Sequence, residues 1–162
     1  MRLRFMAAAA LLLFGVACRP RVPVEVVRTL NDVRQVGVFV SPHSYEHFVR
    51  GELAAASGDD ETAVLHYRQA RAGAHDDALI AAHMAEALDR LGRIEAADRA
   101  LNEAAALEQS AEAVHLARAH IEARRGDDQA ALAAAIAAVE SAPASETAVL
   151  ELSVRLQCTG AE

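Results

Sequence analysis

The strongest constraint in the sequence is a short pattern of small residues that recurs at a fixed spacing of 34 residues. Each copy has one glycine followed by two alanines at constant offsets. The three copies are Gly58 with Ala63 and Ala70, Gly92 with Ala97 and Ala104, and Gly126 with Ala131 and Ala138. Gly160 lies one further step along the chain. Self-similarity at a fixed period is typical of stacked units that contact mainly their neighbours.

The residues around each glycine predict two helices joined by a turn. Each glycine follows an apolar helical run, and a glycine just past a helix end adopts a left-handed conformation without a Cβ clash. Asp59 and Asp127 follow two of these glycines and are suited to cap the next helix. The small alanines let paired helices approach closely. We therefore expect helix pairs near 43–57 with 60–73, 78–91 with 94–107, and 112–125 with 128–141, and a last helix near 146–158.

Apolar side chains within these segments recur at helical spacing, as expected for faces that pack into a core. In the third and fourth helices these positions are Ile80, Met84, Leu88 and Leu91, then Ile94, Ala97, Leu101 and Ala104. At the end of the chain, Val149, Leu152 and Leu156 alternate with Glu151 and Arg155, a mixture typical of a capping helix.

From Ser44 to Ala142 the chain resembles the tetratricopeptide repeat family. Gly51 matches the small residue early in the family's first helix, and Pro143 stands where a proline often separates repeats. His47 replaces the family's large aromatic in the first copy, as Ala81 and His115 do in the others. The resemblance implies an all-α solenoid of three helix–turn–helix repeats, at about 44–77, 78–111 and 112–145, within residues 43–158, closed by a capping helix at 146–158.

In the resembling family, the first helix of each repeat lines a concave groove that receives a peptide or a partner helix. Carried over by repeat phase, the groove residues are Tyr45, Phe48, Glu52, Glu86, Asp89, Arg90, His120 and Arg124. We expect Tyr45 and Phe48 to be an apolar anchor, because aromatic residues carry much interface energy. The alternative is that both pack against residues 19–40.

Residues 1–17 have the pattern of a bacterial export signal. Arg2 and Arg4 precede an apolar run, Phe5 to Val16, that is shorter than the roughly 20 residues of a membrane-spanning helix. Residues 15–18 resemble the lipoprotein cleavage box, which implies a covalent lipid on Cys18. Gly15 and Ala17 also satisfy the rule for ordinary signal cleavage, so a secreted form without lipid stays open.

Residues 18–42 are expected to form a partly ordered tether. Val26, Val27, Leu30 and Val33 have helical spacing, whereas Val36, Val38 and Val40 alternate as in a strand. The tether would rest its apolar side chains on the first repeat. A strand or helix offered to a partner is the alternative.

Charge and composition restrict the partners. The formal net charge is −7, and removal of residues 1–17 takes away two arginines and no acid. A surface this acidic disfavours nucleic acid, whose binding rests on phosphate neutralisation, and broad adsorption to anionic membranes. We therefore expect partners that are proteins or peptides, with the membrane contacted through the lipid, and no small-molecule substrate.

No constellation of residues predicts catalysis. His43 and His47 share a helix face at a spacing that zinc sites use, but no cysteine or glutamate completes a ligand set nearby. The aspartate pairs 59–60, 76–77 and 127–128 fall at turns, where capping accounts for them. Cys158 is expected to be a small buried residue. No metal site and no cofactor beyond the lipid on Cys18 is therefore expected.

These inferences combine into a prediction of function. We expect a non-catalytic scaffold for protein–protein interactions, lipid-anchored in the bacterial cell envelope and facing the periplasm. The outer membrane is slightly favoured, because Arg19 is not the aspartate that marks inner-membrane retention in enteric bacteria. Assistance in the assembly of an envelope or secretion complex is the expected role. The alternatives are a periplasmic enzyme or metal protein that uses the histidines, and a secreted adaptor without lipid.

Overall fold

The computed structural model describes residues 25–30, 33–38, 41–74, 76–108 and 111–160. The chain divides into two units, one ending at Phe39 and one beginning at Val40. The predicted signal segment and Cys18 lie outside the described residues, so their roles stay predictions.

In the first unit, β1 (Glu25–Leu30) and β2 (Val33–Val38) form an antiparallel pair. Glu25 lies opposite Val38, and Leu30 lies opposite Val33. The helical spacing noted around Val26 and Val27 is therefore not realised, since β-branched residues in short runs suit a strand at least as well. The alternation of Val36 and Val38 was the better indicator.

In the second unit, the described residues between 41 and 160 are all-α. Its seven helices are α1 (Pro42–Ala56), α2 (Asp60–Gly73), α3 (Ala78–Arg90), α4 (Ile94–Leu107), α5 (Glu112–Arg125), α6 (Asp128–Ser141) and α7 (Glu146–Thr159). Helices α1, α3 and α5 pack against α2, α4 and α6, and α3 also contacts α2 and α5 of the neighbouring pairs. The predicted helical-repeat solenoid is confirmed. Among the described residues, no helix combines the length and apolar content needed to cross a bilayer.

The turns occur where the 34-residue spacing predicts them. Gly58, Gly92, Gly126 and Gly160 have φ values of 79°, 71°, 84° and 64°. Only glycine adopts this left-handed region without a steric cost. The expected capping is also confirmed, since the side chain of Asp59 accepts a hydrogen bond from the Thr62 N–H and that of Asp127 from the Ala130 N–H. Asp77 caps α3 in the same way through the Leu79 N–H.

Small side chains hold each helix pair together. The six alanines of the repeat pattern, at 63, 70, 97, 104, 131 and 138, are fully buried. Larger side chains fill the remaining core at Tyr67, Val64, Val114 and Ile121. Of the two predicted apolar faces, Ile80, Met84 and Leu88 are buried, whereas Ile94 at the start of α4 is exposed.

Gly51 confirms the need for a small residue in the first helix. A Cβ atom there would lie 2.6 Å from Cε1 of Tyr67, far inside van der Waals contact. The ring of Tyr67 therefore crosses α1 directly over this glycine. This packing brings the Tyr67 hydroxyl from α2 to the neighbouring Glu52 of α1.

Helix α7 forms where the capping helix was predicted, and it packs through one side. Ala148 is its buried residue, Leu152 packs against a small core formed with α5 and α6, and Val149 is 50% exposed. Cys158 is exposed, so the expectation that it is buried was wrong. The reason is that α7 has a neighbour on one side only within the described chain, which leaves its outer apolar positions in solvent.

Candidate functional site

A groove of about 470 Å³, here called the inner groove, runs across the odd-numbered helices of the solenoid. Its lining combines apolar and ionisable side chains. The lining residues are Glu52, Ala55, Ala56, Tyr67, Leu79, His83, Glu86, Arg90, Glu112, Ala113, Leu116, His120 and Thr147. The inner groove is large enough to receive several side chains of a peptide.

The repeat period places the polar residues of the inner groove in a row. Glu52, Glu86 and His120 are 34 residues apart and therefore occupy the same position on α1, α3 and α5. Stacked repeats bring equivalent positions of successive first helices side by side. His83 precedes Glu86 by one helical turn and fills the gap towards α1.

Glu52 is the centre of the first contact in this row. The Tyr67 hydroxyl donates a 2.7 Å hydrogen bond to its Oε1, and Nδ1 of His83 lies 2.7 Å from the same oxygen. Burial opposes ionisation of Glu52, but the bonds from His83 and Tyr67 outweigh it and hold its pKa below the usual value. Burial and Glu52 together raise the pKa of Tyr67, so its hydroxyl stays a donor.

His120 on α5 contacts carboxylates of α3 and α7. Its Nδ1 lies 3.2 Å from Oε2 of Glu86 on α3, and its Nε2 lies 3.3 Å from Oε2 of Glu151 on α7. The hydrogen bond with Glu86 raises the pKa of His120, in spite of partial burial. For His83, burial lowers the pKa, but Glu52 and Glu86 outweigh it and the net shift is upward. Both imidazoles are therefore poised to carry a positive charge between carboxylates.

Arg90 supplies the guanidinium of the inner-groove lining. Its Nε donates a 2.8 Å hydrogen bond to Oδ1 of Asp60, and its Nη1 lies 3.6 Å from Oε2 of Glu86. The guanidinium is thus shared between two carboxylates that belong to the protein itself. Among the lining residues, its charge is outnumbered by those of Glu52, Glu86 and Glu112.

The structure corrects the predicted position of two groove residues. The side chain of Asp89 is only 3% exposed and accepts 2.9 Å hydrogen bonds from Nε of Arg124 and Nε of Arg125. Arg125 also donates to Asp98 on α4. Asp89 and Arg124 therefore lie outside the lining of the inner groove, in an ion-pair network around the buried Asp89 that joins α3, α4 and α5.

The structure also separates the two residues of the predicted aromatic anchor, Tyr45 and Phe48. Tyr45 is 64% exposed and does not line the inner groove. Phe48 is half-buried, and its ring centroid lies 6.2 Å from that of Tyr67 and 5.7 Å from that of His83. Phe48 therefore packs against two lining residues, Tyr67 and His83. Tyr45 and Phe48 do not form one anchor. The alternative, a contact of both aromatics with residues 19–40, stays a prediction.

Four of the predicted groove residues line the inner groove, namely Glu52, Glu86, Arg90 and His120. Sequence reasoning missed the polar residues Tyr67, His83, Glu112 and Thr147. The one-turn spacing of His83 and Glu86 was a usable signal for the first imidazole. Tyr67 comes from a second helix, and only the small residue Gly51 opposite it hinted at a ring inserted there.

The other histidine cluster joins α1 and α2. The ring centroids of His43 and His47 are 4.4 Å apart, and Nδ1 of His47 lies 3.0 Å from Nδ1 of His66. Burial and the neighbouring imidazoles lower the pKa of His47, which favours its neutral form. Within the residues that the structure describes, no group of three or more His, Cys, Asp or Glu side chains is arranged to hold a metal ion.

Comparison with known proteins bears on the fold. No protein-family model matches the chain, and no curated protein matches it. Three solved domains that resemble the chain are the first tetratricopeptide domain of Spaghetti (RPAP3) bound to the HSP90 peptide SRMEEVD, the Arabidopsis OM64 tetratricopeptide domain, and the second tetratricopeptide domain of human RPAP3 in complex with the HSP70 peptide SGPTIEEVD.

The similarity extends over most of both chains in each case. The TM-scores are 0.61, 0.55 and 0.52, with sequence identities of 19%, 18% and 22%. The matches cover 76%, 70% and 69% of this chain and 100%, 94% and 97% of the respective domains. At this level of identity the comparison shows the fold, which is that of a tetratricopeptide solenoid.

Proposed function

We propose that this chain is a non-catalytic adaptor whose inner groove binds a peptide segment or a helix of a partner protein. The observation that carries the proposal is a preformed groove lined by both apolar and charged side chains across four odd-numbered helices. Two of the similar solved domains hold peptides, which supports the same use of the fold here.

Contacts between the repeats that line the inner groove support this proposal. Contacts between repeats, from Glu52 to His83 and from Glu86 to His120, hold the first helices in register before any partner arrives. A preorganised surface binds more tightly because less conformational freedom is lost on association. The ionisable groups are engaged with one another across repeats, which suits recognition better than proton transfer to a substrate.

Site-specific photocrosslinking in cells tests this proposal. A photoreactive amino acid in place of Leu79, which is 40% exposed in the inner groove, is expected to capture a partner protein. The matched control is Ile136 on α6, which is 42% exposed but outside the inner groove. Equal capture from both positions, or capture from Ile136 alone, would contradict a role of the inner groove.

We also propose that a lipid on Cys18 anchors the adaptor to a membrane of the bacterial cell envelope, with the solenoid in the periplasm. The support is the sequence pattern of residues 1–18, namely two arginines, an apolar run and a cysteine directly after small residues. Assistance in the assembly of an envelope or secretion complex follows from combining an anchor with a peptide-binding solenoid. The outer membrane is the preferred location.

The anchor is tested by replacing each cysteine in turn. Cys18→Ser is expected to move the protein from the membrane fraction to the soluble fraction and to abolish incorporation of a labelled fatty acid. Cys158→Ser is the matched control, because Cys158 is an exposed thiol on α7 and is expected to change neither readout. Unchanged partitioning of Cys18→Ser would refute the lipid anchor and favour a form that is retained or secreted without lipid.

A further inference from the structure

Carboxylates outnumber guanidinium groups in the lining of the inner groove. Three lining side chains are carboxylates, and the guanidinium of Arg90 is shared with Asp60 and Glu86. The chain contains no lysine. The other basic lining groups are the imidazoles of His83 and His120, which each contact a carboxylate.

Two of the carboxylates retain the capacity to bind a cation. Both hydrogen bonds to Glu52 end on Oε1, and its side chain is 40% exposed, which leaves Oε2 to a visiting donor. Glu112 accepts a hydrogen bond from the Ser145 hydroxyl through Oε1. A carboxylate has about four acceptor positions, so both groups can accept charge-assisted hydrogen bonds from an arginine or lysine.

Apolar lining residues adjoin these carboxylates. Leu79 on α3 and Leu116 on α5 line the inner groove together with Ala113, which directly follows Glu112. Leu79 is 40% exposed although it lies in a groove, so it has apolar surface to bury on association. Such a lining suits an aliphatic side chain placed beside a cationic one.

We infer that the inner groove selects a basic partner segment, in which arginine or lysine side chains pair with Glu52 and Glu112 while a neighbouring aliphatic side chain packs on Leu79 and Leu116. This inference rests on the proposed function and specifies the chemistry of its partner. An acidic segment is rejected, because it would bring like charges together in a partly desolvated groove.

Binding of two synthetic heptapeptides to the full chain in nonionic detergent tests this inference. One contains three arginines and two leucines, and its counterpart has glutamate in place of every arginine. Fluorescence anisotropy is expected to show binding of the first peptide and none of the second. Added salt is expected to weaken binding, because ionic pairing at a groove open to solvent is screened.

Isosteric variants test whether peptide binding depends on the charges of Glu52 and Glu112. Glu52→Gln with Glu112→Gln removes two charges but keeps oxygen atoms that can accept the bonds from Tyr67, His83 and Ser145. This variant is expected to bind the basic peptide about tenfold more weakly, equivalent to about 1.4 kcal/mol. Glu95→Gln with Glu140→Gln removes the same charge from exposed positions on α4 and α6 and is the matched control. A circular dichroism melt of each variant confirms that it is folded.

The outcomes separate this inference from the proposed function. Equal or tighter binding of the glutamate peptide, or equal loss of affinity in both double variants, would overturn the selection of a basic segment. If neither peptide binds but Leu79 still crosslinks a partner in cells, the inference fails and the adaptor function stands. If Leu79 captures no more than Ile136, the adaptor function itself fails.

Discussion

Two ion-pair networks lie one helical turn apart on α3, and they differ in chemistry and exposure. Asp89 is buried and paired with Arg124 and Arg125, whose charges are permanent near neutral pH. Glu86 lies in the inner groove, and its partner on α5 is His120, whose charge depends on pH, while Arg90 of α3 also contacts it. Both networks join α3 to α5. The first ties the repeats together at any physiological pH, whereas the second can respond to conditions and to a partner.

The largest effect is expected from breaking the ion-pair network around the buried Asp89. Asp89→Asn removes the negative charge shared by two arginines and replaces one acceptor oxygen with an NH2 group, and loss of one partner from a buried ion pair leaves charge uncompensated. Because both arginines are partly exposed and can be rehydrated, we expect a loss of about 2 to 3 kcal/mol in the free energy of unfolding, measured by urea denaturation.

Asp98→Asn is the matched control for this variant. Asp98 also accepts a bond from Arg125, but it is about half exposed, so its removal is expected to cost less than about 1 kcal/mol. Similar losses for Asp89→Asn and Asp98→Asn would show that the burial of Asp89 does not distinguish the two positions.

The next effect comes from disturbing the inner groove without touching Asp89. Gly51→Ala places a methyl group against the ring of Tyr67, which must move away together with the hydroxyl that bonds Glu52. Overpacking of this kind costs about 1 to 3 kcal/mol, and we expect a value near the middle of that range in thermal unfolding. Gly58→Ala meets no atom within 4 Å but has a positive φ, so it measures backbone strain alone. A crystal structure of Gly51→Ala with Tyr67 unmoved would contradict the proposed role of this glycine.

The smallest effect is the pH dependence of stability that the inner groove contributes. The pKa values of His83 and His120 are raised on folding by Glu52 and Glu86, with Glu151 facing His120 from α7 and Tyr67 contacting His83 from α2. Their stabilisation is fully present below the unfolded value of 6.5 and is lost as pH rises through the higher folded values.

At low pH the carboxylates titrate, and their contribution to stability depends on pH in the opposite direction. The pKa values of Glu52 and Glu86 are held low, since hydrogen bonds outweigh burial, so their contribution is lost as pH falls below the usual value of 4.5. Because the imidazoles are about one-third exposed, we expect less than about 1 kcal/mol between about pH 6 and about pH 9, measured by thermal melts. The double variant His83→Gln with His120→Gln is expected to reduce this change of stability with pH. If stability changes with pH as much as in the unaltered protein, the dependence arises from other groups.

Much of the fold could be predicted because its signals are local. A positive φ at Gly58 or Gly92, a side-chain cap by Asp59 and close helix contact at Ala97 depend on residues within one or two turns. Repetition at a constant spacing then determines which helices stack, since equivalent positions must meet equivalent neighbours. The sequence alone was sufficient for the helical-repeat solenoid and for Glu52, Glu86, Arg90 and His120 as residues of one groove.

The tertiary structure decided what each polar residue of a first helix contacts. Glu86 and Asp89 are three positions apart and both acidic, yet one lines the inner groove and the other is buried under two arginines of the next repeat. Helical phase cannot separate them, because the outcome depends on which side chains α4 and α5 bring to the contact. Likewise, the ring of Tyr67 enters the groove from a second helix, and Cys158 stays exposed because α7 is covered on one side only within the described chain.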